Sequence, residues 1–310
     1  MPPLDRTLPP WPGGYEEAGG VGLHIRRTEP GLSPDGADTA VYVHGLGGSS
    51  TNWTDLGALL APWGSGIAVD LPGFGFSEPE PGFDFTLAAH ADQVARFIAG
   101  LGNGPVHLLG NSMGGAVAAL LAGSRQELVK TLTLISPAVP DLRPLPSRLS
   151  DPRMALAYLP VVGRTVRRQL AAMTSRERAE RVIELCFADP SSFPESRLAE
   201  LADEHGARLH LPWALTALNR TTTDIIRVWL ARGPRSIWTA LRAVTAPSLV
   251  VWGDRDKVIS ARKAKRTARM LRNGTLLMLP EVGHVAQMEQ PTAVAEAVLG
   301  LWQSVGTADS

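Results

Sequence analysis

A serine flanked by glycines, in the sequence Gly-Asn-Ser-Met-Gly at residues 110–114, is the feature that most limits how this 310-residue chain can fold. An apolar run over residues 106–109 precedes it, and a run of small apolar residues over 115–121 follows. This order predicts a strand, a tight turn and a helix, with Ser112 held in a strained backbone conformation at the turn. A serine hydroxyl becomes a nucleophile only when a base contacts it, so a turn that projects the side chain outward favours nucleophilic catalysis.

The rest of the chain repeats short apolar runs that alternate with amphipathic stretches. The apolar runs at 40–43, 67–69, 106–109, 132–135, 248–252 and 275–278 predict strands, and the stretches at 52–60, 87–101, 237–244 and 293–302 predict helices. Such alternation is typical of an α/β fold with a mostly parallel central sheet flanked by helices. Residues 21–27 alternate apolar and polar side chains, which predicts an edge strand.

The alternation stops after residue 137 and resumes near residue 234. Residues 138–233 are rich in proline and arginine and show helical periodicity, so we predict a helical cap inserted into a core of residues 20–137 and 234–310. Such a cap would cover the carboxyl edge of the sheet, where sheets of this kind bind ligands. Residues 1–19 are rich in proline and glycine and predict a loose N-terminal arm.

Composition excludes several functional classes. The formal net charge is +0, so nothing predicts binding to nucleic acid or to an anionic membrane. No apolar run is long enough to span a bilayer, and the N-terminus lacks the features of a secretory signal, so we expect a cytoplasmic protein. The one cysteine, Cys186, falls in a predicted helix over 177–187 and predicts neither a disulfide nor a metal site. We expect a small-molecule substrate, no metal and no cofactor; nothing in the sequence predicts the oligomeric state.

A serine nucleophile requires a histidine base, and seven histidines compete for that role. His284 is the best placed, because it lies in a turn immediately after the last predicted strand. His24 and His107 lie within predicted strands, which favours structural roles.

The acid of such a triad should lie on a loop that follows a strand. Asp254 and Asp256 both follow the predicted strand at 248–252. Asp254 follows it so closely that it would cap the turn, whereas Asp256 can project across the sheet edge, so we choose Asp256. The chain order Ser112, Asp256, His284 is the order expected when the nucleophile lies on such a strand–turn–helix elbow.

Two backbone N–H groups are needed to bind the oxyanion that forms during acyl transfer. The residue after the nucleophile, Met113, supplies one candidate. The second candidate is the N–H of Leu46, in the glycine-rich sequence His-Gly-Leu-Gly-Gly at 44–48, because glycines on both sides let the backbone approach a substrate. We expect His44 itself to hydrogen-bond this loop into shape.

Together these residues resemble the α/β-hydrolase superfamily over about residues 21–302. The matching segments are 44–48, 70–77 (Asp-Leu-Pro-Gly-Phe-Gly-Phe-Ser), 110–115, 253–256 and 283–284. The resemblance implies Ser112 as nucleophile, Asp256 as acid, His284 as base and a mostly helical cap. A serine in the elbow separates the chain from the branches that use aspartate there, the haloalkane dehalogenases and epoxide hydrolases.

The leading hypothesis is a carboxylic ester hydrolase that acts on an apolar small molecule through an acyl-enzyme. The elbow at 111–115 also resembles the carbon–carbon bond hydrolases of meta-cleavage products, which usually carry a tryptophan directly after the histidine, where this chain has Val285. A third hypothesis is a ligand-binding protein of the same fold with slow turnover. Seven apolar side chains of the predicted cap could form either its core or a substrate pocket: Phe187, Trp213, Leu215, Leu218, Ile225, Ile226 and Trp229.

Overall fold

An eight-stranded sheet forms the centre of the protein, in the order β1-β2-β4-β3-β5-β6-β7-β8. The computed structural model describes residues 1–29, 31–142 and 172–306. The strands are β1 (Gly13–Ala18), β2 (Val21–Arg27), β3 (Thr39–Val43), β4 (Ser65–Val69), β5 (Val106–Asn111), β6 (Val129–Ile135), β7 (Ser248–Gly253) and β8 (Gly274–Leu279). β2 runs antiparallel to both of its neighbours, and the other neighbouring strands are parallel. The predicted α/β class with a mostly parallel sheet is confirmed.

Ten α-helices lie in the described residues. They are α1 (Thr54–Leu60), α2 (Leu87–Leu101), α3 (Met113–Ser124), α4 (Ser175–Cys186), α5 (Glu195–Arg208), α6 (Ala214–Leu230), α7 (Ile237–Ala243), α8 (Ala264–Met270), α9 (Ala286–Glu289) and α10 (Pro291–Gly306). Short 3-10 turns occur at Ser50–Trp53, Gln126–Leu128, Pro190–Ser192, Gly233–Arg235 and Ala261–Lys263. None of the helices in this part of the chain is long and apolar enough to cross a bilayer.

The central strands β3 to β7 are buried on both faces, which explains why they are almost continuously apolar. In β3, Val41 and Val43 pack into the core beneath α2 and α3, whereas Tyr42 packs into the core beneath α1 and α10. Successive side chains of a strand point to opposite faces, so each strand contributes to two cores. A parallel sheet covered by helices on both sides needs apolar residues at every position.

The N-terminal residues differ from the prediction. Residues 13–18 form β1, which pairs antiparallel with β2, and Trp11 is buried beside α1. The predicted loose arm is therefore wrong for this segment, and β2 is not an edge strand. The backbone groups at the edge of β2 find hydrogen-bond partners in β1. The proline- and glycine-rich composition of residues 1–19 does not reveal this pairing.

The cap is fixed to the core by hydrogen bonds at its helix α6. The carboxylate of Asp224 accepts the N–H of Leu87 at 2.8 Å, and the hydroxyl of Thr221 donates to the carbonyl of Phe85 at 3.1 Å. Asp224 thus caps the first turn of the core helix α2. Of the predicted cap at 138–233, residues 143–171 lie outside the described residues, as do 307–310 of the predicted core.

His107 in β5 has the structural role that its position in a strand predicts. Its ring stacks on Trp302 with centroids 4.2 Å apart, and its Nδ1 lies 2.8 Å from the hydroxyl of Thr131. Burial, opposed in part by Asp38, lowers the pKa of His107 to about 4. The folded protein therefore holds a neutral imidazole at pH values where the unfolded chain binds a proton.

We expect the free energy of unfolding to fall as the pH is lowered from about 6.5 toward 5, because only the unfolded state protonates His107 in that range. One such group contributes a slope of about 1.4 kcal/mol per pH unit at full effect. Urea unfolding at several pH values measures the slope. In the variant His107→Gln, the slope of the free energy of unfolding against pH should be smaller by up to about 1.4 kcal/mol per pH unit, the contribution of one proton. An unchanged slope would contradict the assignment.

Candidate active site

Ser112 joins β5 to α3 in a backbone conformation that non-glycine residues rarely adopt. Its φ is 53° and its ψ is −118°. Such a conformation costs on the order of 1–3 kcal/mol and persists only when neighbours hold it. The N–H of Ser112 donates to the carbonyl of Ile135 at 3.0 Å, and its own carbonyl accepts from the N–H of Ala138 at 2.8 Å. The end of β6 therefore holds the predicted turn in place.

The buried amide of Asn111 links this turn to the segment that carries His284. Its Nδ2 donates to the carbonyl of Ile135 at 3.0 Å and to the carbonyl of His284 at 3.2 Å. Asn111 was not among the predicted site residues. An amide at the end of an otherwise apolar strand was the one available signal, since a buried amide must find hydrogen-bond partners.

Asp256 and His284 form a buried pair. Oδ2 of Asp256 lies 2.9 Å from Nδ1 of His284, and the Asp256 side chain has no solvent exposure. Oδ1 accepts the N–H groups of Val258 and Ile259 at 2.8 and 2.9 Å. With an ionised carboxylate as acceptor, the proton of a neutral imidazole lies on Nδ1, and Nε2 is left to accept one.

Asp254, the rejected alternative, has a different environment. Its Oδ1 accepts the N–H of Glu281 at 2.8 Å, and its side chain is 42% exposed. It thus closes the turn after β7, as its position directly behind that strand predicts.

The structure brings Asp256 to His284 but does not join Ser112 to His284 by a hydrogen bond within the described residues. The two segments are connected through Asn111 instead. Ser112 is partly exposed, whereas His284 is buried.

The turn that carries His284 (the histidine turn) is bound through Glu289 to the cap segment that directly follows α4. The buried carboxylate of Glu289 accepts N–H groups from Gly283 at 2.6 Å, Ala188 at 3.0 Å and Asp189 at 3.2 Å. The N–H of His284 in turn donates to the carbonyl of Cys186 at 2.6 Å. Glu289 was not among the predicted site residues, because two of its partners are backbone groups of a segment about a hundred residues away.

Cys186 contributes its backbone carbonyl to this contact, and its side chain has no chemical role there. Burial, reinforced by the charge of Asp256, raises the pKa of the Cys186 thiol to about 12. The thiol therefore stays protonated at neutral pH and is a poor nucleophile. The interpretation of Cys186 as a small apolar residue fits this environment.

The glycine-rich loop at 44–48 is shaped by His44, as predicted. Nδ1 of buried His44 donates to the carbonyl of Gly45 at 2.7 Å, and Nε2 accepts the N–H of Leu71 at 3.0 Å. Burial lowers the pKa of His44, which keeps the ring neutral and able to do both. The carbonyl of Gly45 also accepts the N–H of Gly48 at 3.0 Å. In a trans peptide the N–H and the C=O point in opposite directions, so these two donors direct the N–H of Leu46 the other way.

This loop lies directly beside the elbow. A Cβ on Gly45 would be 3.2 Å from the Cβ of Ser112. Neither the N–H of Leu46 nor that of Met113 donates to an acceptor among the described residues. Both predicted donors are thus available to a bound group.

Asp70 fixes the segment that directly follows the glycine-rich loop. Its carboxylate accepts the N–H groups of Ser50 at 2.6 Å and Phe76 at 2.9 Å and lies 2.7 Å from Nδ1 of His24. Burial alone would raise the pKa of Asp70, but these contacts outweigh it and the pKa is lowered. The segment 70–77 therefore supports the site, since Asp70 binds the backbone of Ser50 and Leu71 binds the ring of His44.

The seven apolar side chains predicted for the cap differ in their burial. Phe187, Leu218, Ile225 and Trp229 pack into apolar clusters, whereas Leu215 and Ile226 are exposed and Trp213 is half-buried. Trp229 also donates its Nε1 hydrogen to the carbonyl of Ala138 at 3.0 Å. Most of this set therefore forms the interior of the cap and its contact with the core.

Comparison with known proteins gives sequence relatives of several activities. The chain is 31% identical over 277 residues to a dihydrolipoyllysine-residue acetyltransferase component of an acetoin cleaving system from Cupriavidus necator, an alignment that covers 89% of this chain and 66% of that protein. It is 25% identical over 289 residues to the monoacylglycerol lipase abhd6-B of Xenopus laevis, covering 93% of this chain and 80% of the relative. The chain thus spans just under two thirds of the length of the first of these relatives.

Solved structures share the fold at lower identity. A meta-cleavage product hydrolase from Pseudomonas fluorescens superposes with a TM-score of 0.74 at 17% identity, covering 94% of this chain and 98% of the other. A family model for the alpha/beta hydrolase fold matches residues 40–291, which include every segment of the site described above. The chain therefore belongs to the α/β-hydrolase fold family.

Proposed function

We propose that this protein is a serine hydrolase that cleaves carboxylic esters of small apolar molecules through an acyl-enzyme intermediate. The observation that carries this proposal is the buried pair of Asp256 and His284 beside the strained turn of Ser112. A nucleophile, a base and an orienting acid are the groups that acyl transfer to serine requires.

In the proposed cycle, Oγ of Ser112 attacks the acyl carbonyl while Nε2 of His284 takes the hydroxyl proton. Asp256 accepts the Nδ1 hydrogen and stabilises the imidazolium that forms. The tetrahedral intermediate collapses, the C–O bond to the alcohol breaks, and His284 returns the proton to the leaving oxygen. Water, deprotonated by His284, then attacks the acyl-serine, and the carboxylic acid leaves as Ser112 regains its proton.

The N–H groups of Leu46 and Met113 are proposed to bind the oxyanion of both tetrahedral intermediates. The orientation of the Gly45 carbonyl supports this role for Leu46, since two donors hold that carbonyl on the opposite side of the peptide. Met113 is the first residue of α3, so the partial positive charge at the start of this helix adds to its effect.

The proton path requires Ser112 and His284 to come into hydrogen-bond contact. Rotation of the serine side chain about its χ1 bond is a small movement, and catalytic hydrogen bonds often shorten only when substrate is bound. Asn111 supports this arrangement because it connects the backbones of the two segments at 3.2 Å.

The alternative of carbon–carbon bond cleavage is disfavoured by Val285, the residue directly after His284, because the meta-cleavage product hydrolases usually have a tryptophan at that position. Val285 is buried in an apolar cluster with Ile183 and Phe187 at the start of the described cap. The residue at this position thus takes part in cap packing. The alternative of a slow-turnover binding protein gives no reason to hold Ser112 in a costly conformation.

We expect the variant Ser112→Ala to lose hydrolysis of a short p-nitrophenyl ester by roughly 10⁴-fold or more, because the nucleophile is removed. A fluorophosphonate probe should label the wild-type protein at Ser112 and should not label this variant. Ser124→Ala, at the far end of α3, serves as the matched control and should keep both properties.

Retained ester hydrolysis in Ser112→Ala would remove the serine from the mechanism. No labelling and no turnover by the wild-type protein would favour a binding protein. Faster cleavage of a meta-cleavage product than of any ester would favour the carbon–carbon hydrolase.

The two aspartates after β7 provide a second test of the triad. Asp256→Asn should lower kcat by roughly 10³–10⁴-fold, because an amide no longer holds the histidine in the correct tautomer. Asp254→Asn, two residues away, should change kcat by less than about fivefold, since Asp254 does not contact His284 and the amide oxygen of asparagine can still accept the N–H of Glu281. Steady-state kinetics on one ester measures both variants, and a larger loss in Asp254→Asn would contradict the assignment.

A further inference from the structure

The glycine-rich loop at 44–48 is held from the cap side by Arg208, the last residue of α5. Nη1 of Arg208 donates to the carbonyl of Gly48 at 3.0 Å and to the carbonyl of Gly47 at 3.3 Å. The Arg208 side chain is only 12% exposed. A buried guanidinium that bonds to backbone carbonyls forms strong, charge-assisted hydrogen bonds.

Glu204, one helical turn before Arg208, completes the contact. Its Oε1 lies 3.4 Å from Nη1 of Arg208, and its Oε2 accepts the hydroxyl hydrogen of Thr51 at 2.7 Å. Glu204 is itself buried, so the pair is shielded from solvent. One face of α5 therefore contacts both the loop and the segment that follows it.

The loop needs such support because of its composition. Gly47 has a φ of +73°, in the region that favours glycine, and glycines on both sides of Leu46 leave the peptide planes free to rotate. The turn is closed by one backbone hydrogen bond, from the N–H of Gly48 to the carbonyl of Gly45. If the peptides of Gly47 and Gly48 rotate, this bond opens, and the carbonyl of Gly45 loses one of the two donors that fix the direction of the Leu46 N–H.

We propose that Arg208, oriented by Glu204, is a positioning residue that holds the glycine-rich loop in the form in which the N–H of Leu46 can bind the oxyanion. The cap helix α5 and this loop then act as one unit, although Arg208 does not contact the substrate. This inference rests on the proposed function, because Leu46 is a donor to the oxyanion only in that mechanism.

Arg197 provides a matched control on the same helix. Its guanidinium also fixes α5 to the core, through Asp55 at 2.7 Å, and it bonds to Glu200 at 2.9 Å within the helix. Its side chain is 7% exposed, close to the value for Arg208. Arg197 therefore shares the burial and the cap-anchoring role of Arg208, but its bonds go to α1 and not to the loop.

The test compares Arg208→Ala, Arg208→Lys and Arg197→Ala with the wild-type enzyme on a p-nitrophenyl ester. Arg208→Ala should lower kcat by about tenfold with KM within twofold, a smaller loss than the complete removal of an oxyanion donor causes. Its affinity for a trifluoromethyl ketone, which forms a tetrahedral adduct with serine, should fall by a similar factor. Arg208→Lys should recover part of kcat, because an ammonium group still donates to a carbonyl. Arg197→Ala should lower the Tm while kcat stays within twofold.

Equal losses of kcat in Arg208→Ala and Arg197→Ala would overturn the proposal, since cap anchoring alone would then explain both. A loss confined to KM would overturn it as well. Should Arg208→Ala fail to fold, Glu204→Gln keeps an acceptor for Thr51 but removes the charge beside Arg208, and it should give a smaller loss of kcat with unchanged KM. An unchanged kcat in that variant would count against the proposal.

Amide hydrogen exchange separates this inference from the proposed function. Absence of ester turnover and of Ser112 labelling in the wild-type protein would refute the proposed function without reference to Arg208. Exchange in the segment 44–50 should become faster in Arg208→Ala and not in Arg197→Ala, and this measurement requires no catalysis. The same exchange in both variants would refute the positioning role.

Discussion

The close packing of α3 against the strands is the constraint on which the whole site depends. A Cβ on Gly114 would overlap the carbonyl oxygens of Val43 and His44, so α3 can approach the end of β3 only with glycine at that position. This approach brings the glycine-rich loop beside Ser112, whose backbone has a φ of 53° at the start of α3. The distance between the serine and the neighbouring loop thus depends on the absence of a side chain at Gly114.

Buried polar side chains that bond to backbone groups hold the loops around this point. Asp70, Asn111 and Glu289 each bind backbone groups of a segment distant in sequence. Glu289 has three N–H donors in place of a cation, an arrangement that satisfies a buried carboxylate. Leaving such a group without partners costs about 1–3 kcal/mol or more, so each of them strongly favours one arrangement of its loops.

The sequence predicts those parts of the fold and of the candidate site that depend on residues close to one another in the chain. The apolar period of the strands and the turn at Ser112 follow from neighbouring residues, and the pairing of Asp256 with His284 follows from their places behind adjacent strands. The strand β1 was missed because its side chains are mostly exposed, so that it shows no apolar pattern. Glu289 and Arg208 were missed for a different reason: their partners lie about 100 and 160 residues away, and no local pattern encodes such distances.

Polar side chains fix the cap on both sides of the proposed reaction centre, in addition to its apolar contact with the core. The start of α5 is joined to α1 by an ion pair of Arg197, its end contacts the glycine-rich loop, and the segment before it is bound to the histidine turn by Glu289. The hydrophobic effect is non-directional, so apolar packing alone would define the orientation of the cap on the core less closely. Hydrogen bonds from fixed donors to particular carbonyls define an orientation, so the position of the cap and the geometry of the loops beneath it are determined together.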